Sequence, residues 1–421
     1  MEKFVISGGK KLSGKVKVSG AKNAALALMP ATLLNTGPNV IHNTPEVNDI
    51  YTMIKLLTHL GADIKFSEHT LTIDTSNITN QEAPYEHVKK MRASVYVLGP
   101  LLARYGYAKV SMPGGCAWGP RPINLHLKAM KKLGAEVELA EGYIIAKAKE
   151  LHGAKLNFDV SSVGATGNAL MAAVLAKGAT VISNAAKEPE ITLLADYLVK
   201  MGARIDGIGT SKLEIEGVDS LQHVEVSNIS DRIEAGTLCI AAAMTKSRVE
   251  IEFGNSNHLE ILFSKLEDTG VNIKLNNDLI AIDATDLSPQ NLDISTAIYP
   301  GFPTDLQAQW TAYMALADGS SAVTDTIYHD RFKHVPELNR LGANIEVINN
   351  SAMIKGVNKF TGAKVMSTDL RASASLVLAG LAAEGVTEVL RIYHIDRGYQ
   401  RIEEKLKELG ADITREKTSE F

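Results

Sequence analysis

Leu60-Gly61-Ala62-Asp63-Ile64 closes an apolar, helix-patterned stretch and opens a β-patterned one, and the chain makes the same transition five more times. The other instances are Leu133-Gly134-Ala135-Glu136-Val137, Met201-Gly202-Ala203-Arg204-Ile205, Thr269-Gly270-Val271-Asn272-Ile273, Leu341-Gly342-Ala343-Asn344-Ile345 and Leu409-Gly410-Ala411-Asp412-Ile413. From glycine to glycine the steps are 134 − 61 = 73, 202 − 134 = 68, 270 − 202 = 68, 342 − 270 = 72 and 410 − 342 = 68 residues. Each Gly stands where a helix ends in a left-handed backbone, and the β-branched residues after it start a strand. The regularity predicts six copies of one α/β unit.

At 421 residues the chain exceeds one ordinary core, and six units divide naturally as three plus three. With 44 Lys plus Arg against 48 Asp plus Glu the net charge is −4, so no global basic field points to nucleic acid and any anion binding must be local. Two cysteines in so long a chain, Cys116 and Cys239, read as a reducing compartment with no disulfide. The N-terminus lacks the apolar region of a secretory signal, and no uninterrupted apolar run reaches the roughly 18 residues that span a bilayer. The expectation is a soluble, cytoplasmic protein without a membrane partner. Aromatics make up only 5% of the chain, which leaves Ala, Leu, Val and Ile to fill a core of helices packed closely on sheets.

A second helix precedes the Gly-Ala helix of each unit. Its starts read Gly20-Ala21-Lys22-Asn23-Ala24, Met91-Arg92-Ala93-Ser94 and Gly164-Ala165-Thr166-Gly167-Asn168 in the first half, and Ser230-Asp231-Arg232, Thr304-Asp305-Leu306 and Thr368-Asp369-Leu370-Arg371 in the second. The Ser or Thr before each Asp is a suitable N-cap, and the Asp suits the helix dipole. Lys22 and Arg92 do not suit it, and such local inconsistencies mark function. With a cation added, a helix start favours phosphates and carboxylates. The first half is expected to present an anion site and the second to present acids, facing each other across a cleft. The boundary is expected between Val226 and Asp231, giving a first domain over 22–229 and a second over 1–21 plus 230–421. Within residues 1–21, strand patterns at Lys3–Ile6 and Lys15–Val18 are expected to pair with the second half.

Ser111 to His126 carries three glycines and three prolines, which exclude regular structure until Pro122, well placed to open a helix running to Leu133. Cys116 thus sits on a loop, and with Lys22, Arg92 and Arg121 nearby its thiol would acidify and serve as nucleophile or acid. Cys239, inside Leu238-Cys239-Ile240-Ala241, reads as core. Gly14 to Lys22 fails as a Walker A loop, because its glycines are six apart and Asn23 follows Lys22. Gly207-Ile208-Gly209 lacks a third glycine and reads as a turn. His334 and Glu337 have helical spacing but no third ligand, so no metal is expected.

Together these features resemble the UDP-N-acetylglucosamine enolpyruvyl transferase family. The matching stretches are Ser19-Gly20-Ala21-Lys22-Asn23-Ala24-Ala25, the Gly-Gly-Cys loop leading into Arg121-Pro122, Asp231-Arg232-Ile233-Glu234-Ala235-Gly236-Thr237, Pro303-Thr304-Asp305-Leu306-Gln307-Ala308-Gln309 and Asp396-Arg397-Gly398-Tyr399. The resemblance implies an α/β fold of two inside-out α/β barrels, three units each, with the active site in the cleft between them. It also implies transfer of the enolpyruvyl group of phosphoenolpyruvate to the 3-hydroxyl of UDP-N-acetylglucosamine with release of phosphate, the first committed step of peptidoglycan synthesis. No metal or organic cofactor is implied.

By position in those motifs, the resemblance implies that Lys22, Arg121 and Arg397 hold the phosphate and carboxylate of phosphoenolpyruvate, with Arg331 and Arg371 as further candidates. It assigns UDP-N-acetylglucosamine to Asn23, Arg92, the run Arg121, Pro122, Ile123, Asn124, Leu125 and His126, then Ser162, Val163, Gly164, Asp305 and Ile327. Asp305 is the implied base for the 3-hydroxyl, although a helix N-terminus weakens a carboxylate base. Asp369 is a second acid of unassigned role, in proton handling or cleft organisation. Cys116 is implied to protonate the enol or form a covalent adduct, to assist product release, and to be alkylated by the epoxide fosfomycin. The chain departs from the family at Trp118, commonly aliphatic, at Asn124, commonly Asp, and at Gly167, commonly acidic. Rival readings are the sister transferase acting on shikimate 3-phosphate, which lacks the Cys loop, a noncatalytic sugar-nucleotide-binding scaffold, and a cysteine hydrolase, for which Cys116 has no evident His partner.

Overall fold

The computed structural model describes every residue except 90, 113–122, 277 and 421. It divides into two compact units, a terminal one made of Met1–Ser19 with Ser230–Phe421 and a central one made of Gly20–Ile229.

The recurring Gly-Ala signature acts as a helix stop. Helix Asn48–Leu60 ends on Gly61 at φ 111°, where the amides of Gly61 and Ala62 return to the carbonyls of Thr58 and Leu57 at 3.0 Å each. This closure satisfies the last helical carbonyls and needs a left-handed residue that only Gly adopts freely. Gly134, Gly202, Gly270, Gly342 and Gly410 repeat it, with φ between 92° and 108°. A hairpin follows five of the stops, as with Asp63–Ser67 against Thr70–Asp74, whereas the strand after Gly410, Asp412–Lys417, pairs with Glu2–Ser7 from the start of the chain.

Among the described residues six four-stranded sheets result, three in each unit. In the central unit one sheet runs Glu225–Ser227, Pro38–His42, Thr70–Asp74 and Asp63–Ser67, with the first pair parallel and the others antiparallel. Strand Glu225–Ser227 comes from the far end of that unit and closes it onto its start. The terminal unit is closed by the N-terminal strands. Glu2–Ser7 lies between Val386–Leu390 and Asp412–Lys417, antiparallel to both, and Ser13–Lys17 pairs in parallel with Arg248–Glu252.

Helices Arg232–Met244, Gln307–Met314 and Leu370–Ala382 pack on one another inside the terminal unit and are buried on nearly every face. Small residues permit this approach. A Cβ at Gly236 would stand 2.6 Å from Leu306 Cδ1 and 2.9 Å from Leu262 Cδ2, so a larger side chain there would have to displace these two packed leucines. Cys239 lies in this core, where burial pushes its thiol pKa far up. Among the described residues no helix is long and apolar enough to cross a membrane.

Candidate active site

In the terminal unit the second-half helix starts converge on a buried polar cluster. Asp305 sits in the short turn Thr304–Leu306 that leads into Gln307–Met314. Arg331 Nη2 donates to its Oδ1 at 2.8 Å and Arg371 Nη2 to its Oδ2 at 3.0 Å. The two guanidiniums are nearly buried, while Asp305 keeps 26% of its side chain accessible. Burial alone would raise the Asp305 pKa, but Arg371 and Arg331 outweigh it and hold the carboxyl well below the usual carboxylate range. The two arginines proposed from sequence for phosphoenolpyruvate therefore grip a carboxylate of the protein itself.

Residues that carry no role in the sequence reading complete this cluster. Arg331 Nη1 also donates to Thr304 Oγ1 at 2.9 Å, and Thr304 donates to Asp325 Oδ2 at 2.7 Å. Asp325 Oδ1 accepts from Thr296 Oγ1 at 2.7 Å and from the amides of Ile327 and Tyr328 at 2.9 Å each, which shapes the turn holding Ile327. Arg371 lies over the Tyr399 ring, 5.4 Å from its centroid. The Tyr399 hydroxyl meets Thr237 Oγ1 at 2.8 Å and accepts from Gln309 Nε2 at 3.1 Å, linking the three inner helices. The available signals were weak: an Asp two residues before Ile327, and polar Gln307, Gln309 and Thr311 in a wholly buried helix.

The helix caps correct one sequence reading. Ser230 and Thr368 are not the N-caps; Asp231 and Asp369 are. Asp231 Oδ1 accepts from the amides of Ile233 at 2.9 Å and Glu234 at 3.1 Å, and Asp369 Oδ1 from those of Arg371 at 2.9 Å and Ala372 at 3.1 Å. Each cap falls one residue later than expected, on an Asp in extended backbone whose carboxylate reaches the orphan amides of the first turn directly. Thr304, also expected as a cap, and Asp305 both lie inside the turn Thr304–Leu306, whose cap position is Pro303, so neither caps a helix. Arg397 ends the short helix Ile392–Arg397, and electrostatic contacts at His394 put Asp369 and Arg397 in one neighbourhood. His334 is buried and held neutral, its pKa lowered to about 3 by burial and then by Arg331, while Glu337 accepts from the Met366 amide at 2.9 Å. Among the described residues no His, Cys, Asp or Glu cluster is arranged to hold a metal.

In the central unit Lys22 opens helix Lys22–Ala31, and its Nζ lies 3.3 Å from buried Asp49 Oδ2. Ser162 caps helix Val163–Ala173 through the Ala165 amide, and the Tyr96 hydroxyl donates to the Val163 carbonyl at 3.3 Å. Tyr96 also explains Gly167, where a Cβ would meet the Tyr96 ring at 2.5 Å. Helix Asn124–Lys132 has Ile123 at its N-cap, at φ −94°, ψ 5°, and Leu133 at its C-cap, while Pro122, expected to open it, lies outside the described residues. Asn124 is exposed, Ile123 and Leu125 are half-buried, and His126 is buried. Asn23 and Arg92 are half-buried near the starts of their helices. Cys116, Trp118, Arg121 and Pro122 lie outside the described residues.

Residues 6–406 match the family model of EPSP synthase (3-phosphoshikimate 1-carboxyvinyltransferase). The chain is 57% identical over its whole length to the UDP-N-acetylglucosamine 1-carboxyvinyltransferase of Chloroherpeton thalassium, covering 99% of that protein, and 57% identical to the protein of the same name from Chlorobium limicola, covering all of it. Among solved structures it resembles the enolpyruvyl transferase NikO from Streptomyces tendae, with a TM-score of 0.90 at 26% identity over 98% of each chain. The fold is also that of EPSP synthase from Acinetobacter baumannii, with a TM-score of 0.75 at 18% identity over 99% of this chain and all of that one.

Proposed function

The chain belongs to the EPSP synthase family of enolpyruvyl transferases, and we propose that within it the chain transfers the enolpyruvyl group of phosphoenolpyruvate to the 3-hydroxyl of UDP-N-acetylglucosamine. The observation that carries this reading is the full-length 57% identity to relatives named for that reaction. It is the first committed step of peptidoglycan synthesis. The test is phosphate release from phosphoenolpyruvate, with UDP-N-acetylglucosamine and shikimate 3-phosphate supplied in separate reactions, before and after fosfomycin. Release that needs the sugar nucleotide and stops with the epoxide is expected. Release only with shikimate 3-phosphate would move the chain to the sister activity.

The chemistry is an addition followed by an elimination. A proton adds to the enol methylene, the sugar oxygen bonds to the adjacent carbon, and a tetrahedral ketal forms. Loss of a methyl proton then expels phosphate as the carbon–oxygen bond breaks. In this reading Lys22, Arg121 and Arg397 hold the phosphate and carboxylate of phosphoenolpyruvate, and Arg331 and Arg371, the further candidates, share in receiving the carboxylate.

The clamp on Asp305 gives that assignment a physical consequence. While both arginines hold Asp305, its carboxylate is a poor base. An incoming substrate carboxylate competes for the same two guanidiniums, and once it takes them Asp305 loses the charges that depress its pKa. Substrate binding thereby makes the base stronger where the 3-hydroxyl must be deprotonated. Cys116 supplies or receives the methylene proton, or forms the covalent adduct. Asp369, committed to its helix cap, organises the site rather than moving protons. Asn23, Arg92, Arg121 to His126, Ser162 to Gly164 and Ile327 contact the sugar nucleotide.

The same reading includes two inside-out α/β barrels with domain bounds at 22–229 and 1–21 plus 230–421, a catalytic cleft between them, and a cytoplasmic location. Three buried helices enclosed by three sheets, as in the terminal unit, support the barrel description.

A further inference from the structure

Asn168 is wholly buried in helix Val163–Ala173, and two backbone groups fix the orientation of its amide. Its Oδ1 accepts from the Gly99 amide at 2.8 Å, and its Nδ2 donates to the Val95 carbonyl at 3.0 Å. A flipped amide would place donor against donor and acceptor against acceptor, so the assignment follows from its partners. The second Nδ2 hydrogen points at His126 Nδ1, 2.9 Å away. Nδ1 must therefore be the acceptor nitrogen, and the ring proton of a neutral His126 resides on Nε2.

His126 stays neutral for separate reasons. The residue is only 5% exposed, and burial, then the nearby Arg92 charge, lower its pKa to about 4. Its Nε2 edge lies against Gly164, where a Cβ would come within 3.1 Å of Nε2, and Nε2 has no hydrogen-bond partner among the described residues. A buried histidine thus presents one oriented N–H donor beside the segment Ser162 to Gly164.

We propose that Asn168 is a positioning residue that locks His126 into the Nε2–H tautomer, so that His126 donates a hydrogen bond to an acceptor oxygen of the bound sugar nucleotide. The proposal rests on the reading of Ser162 to Gly164 and His126 as sugar-nucleotide contacts. A locked neutral donor requires no reorientation on binding and rejects any ligand group that itself offers a donor there. Gly164 fits this role, because a Cβ at that position would press to 3.0 Å from Cε1 and 3.1 Å from Nε2 and shift the imidazole from its place.

The test begins on the ligand-free parent chain, with nitrogen NMR of His126 expected to show a protonated Nε2 and an unprotonated Nδ1 between pH 6 and 8. The reverse tautomer, or a mixture of the two, would overturn the lock. Calorimetric titration with UDP-N-acetylglucosamine alone then compares variants. His126→Gln, which restores an N–H near Nε2, is expected to bind within about threefold of the parent, whereas His126→Asn, which does not reach, loses about tenfold. Asn168→Ala is expected to lose about tenfold in the parent background but under about twofold when combined with His126→Gln, since glutamine needs no tautomer lock. Equal losses in both backgrounds would reduce Asn168 to a packing role and overturn the proposal. If Asn168→Ala fails to fold, the NMR signature and the Gln and Asn pair still decide. No binding by a correctly locked parent chain would instead overturn the functional reading, and with it the ligand half of this one.

Discussion

Replacing Asp305 with Asn should loosen the fold, tighten one substrate and stop the chemistry, a combination that few other roles would produce. Asp305 faces Arg331 at 2.8 Å and Arg371 at 3.0 Å, and these arginines expose only 8% and 5% of their side chains. An amide keeps one acceptor but turns a donor toward the other guanidinium and removes the charge that both oppose. Breaking a buried ion pair costs about 3–5 kcal/mol, and because Asp305 itself is 26% exposed the lower end applies, about 3 kcal/mol. At about 2–4 °C per kcal/mol for a unit of this size, the melting midpoint falls by roughly 6–12 °C. The same arginines no longer have to release a carboxylate before they receive phosphoenolpyruvate, so its Kd should drop about tenfold, an amount equivalent to about 1.4 kcal/mol. Turnover should fall by about 10²–10⁴, the usual contribution of a general base. Calorimetric melting, dialysis with labelled phosphoenolpyruvate and phosphate release read the three effects separately. A midpoint within about 2 °C of the parent, together with unchanged or weaker phosphoenolpyruvate binding, would refute the clamp and the exchange drawn from it.

Acid should destabilise the terminal unit through His334. Its folded pKa of about 3 lies below the unfolded value of about 6.5, so the unfolded chain takes the proton first and stability falls as pH drops through that window, by about 2 kcal/mol at pH 5. His334→Leu should remove that slope in denaturant titrations at pH 7 and pH 5, and an unaltered slope would assign the acid sensitivity elsewhere. Gly167→Glu, which restores the side chain common in the family, should cost about 1–3 kcal/mol, because its Cβ meets the Tyr96 ring at 2.5 Å; pairing it with Tyr96→Ala should recover part of the loss. Cys116→Ser should abolish the mass gain on fosfomycin treatment, whereas persistent labelling would place the reactive thiol elsewhere. Leu376→Ala, in the fully buried helix Leu370–Ala382, should cost about 2–5 kcal/mol by chemical denaturation.

Much of the repeat was legible because its signal is local. A Gly in left-handed backbone after an apolar helix, followed by β-branched residues, is decided within about six positions of chain, and all six instances form that stop. The strands at Lys3–Ile6 and Lys15–Val18 were visible from their own patterning, and so was the need for partners in the second half. The caps were misread by one residue, since Ser230-Asp231 and Thr368-Asp369 each offer two competent cap oxygens and only the backbone angles choose between them. The roles of Thr304, Asp325, Gln309 and Tyr399 were not legible, because each depends on what lies across a gap in space.

The sequence by itself determined the six α/β units, the two groups of three helix starts and the motifs that mark an enolpyruvyl transferase, because each resides in a short stretch whose chemistry does not depend on the rest of the chain. Tertiary structure alone decided that Arg331 and Arg371 close on Asp305, across 26 and 66 residues of sequence. It alone decided that Asn168 reaches His126 across 42 residues, and that strand Glu2–Ser7 completes a sheet with the far end of the chain. Charge and hydrogen-bonding capacity can be read from a residue's type. Which partner satisfies them, and so whether a carboxylate is a base or a counterion, is set by the few ångströms that folding leaves between groups distant in sequence.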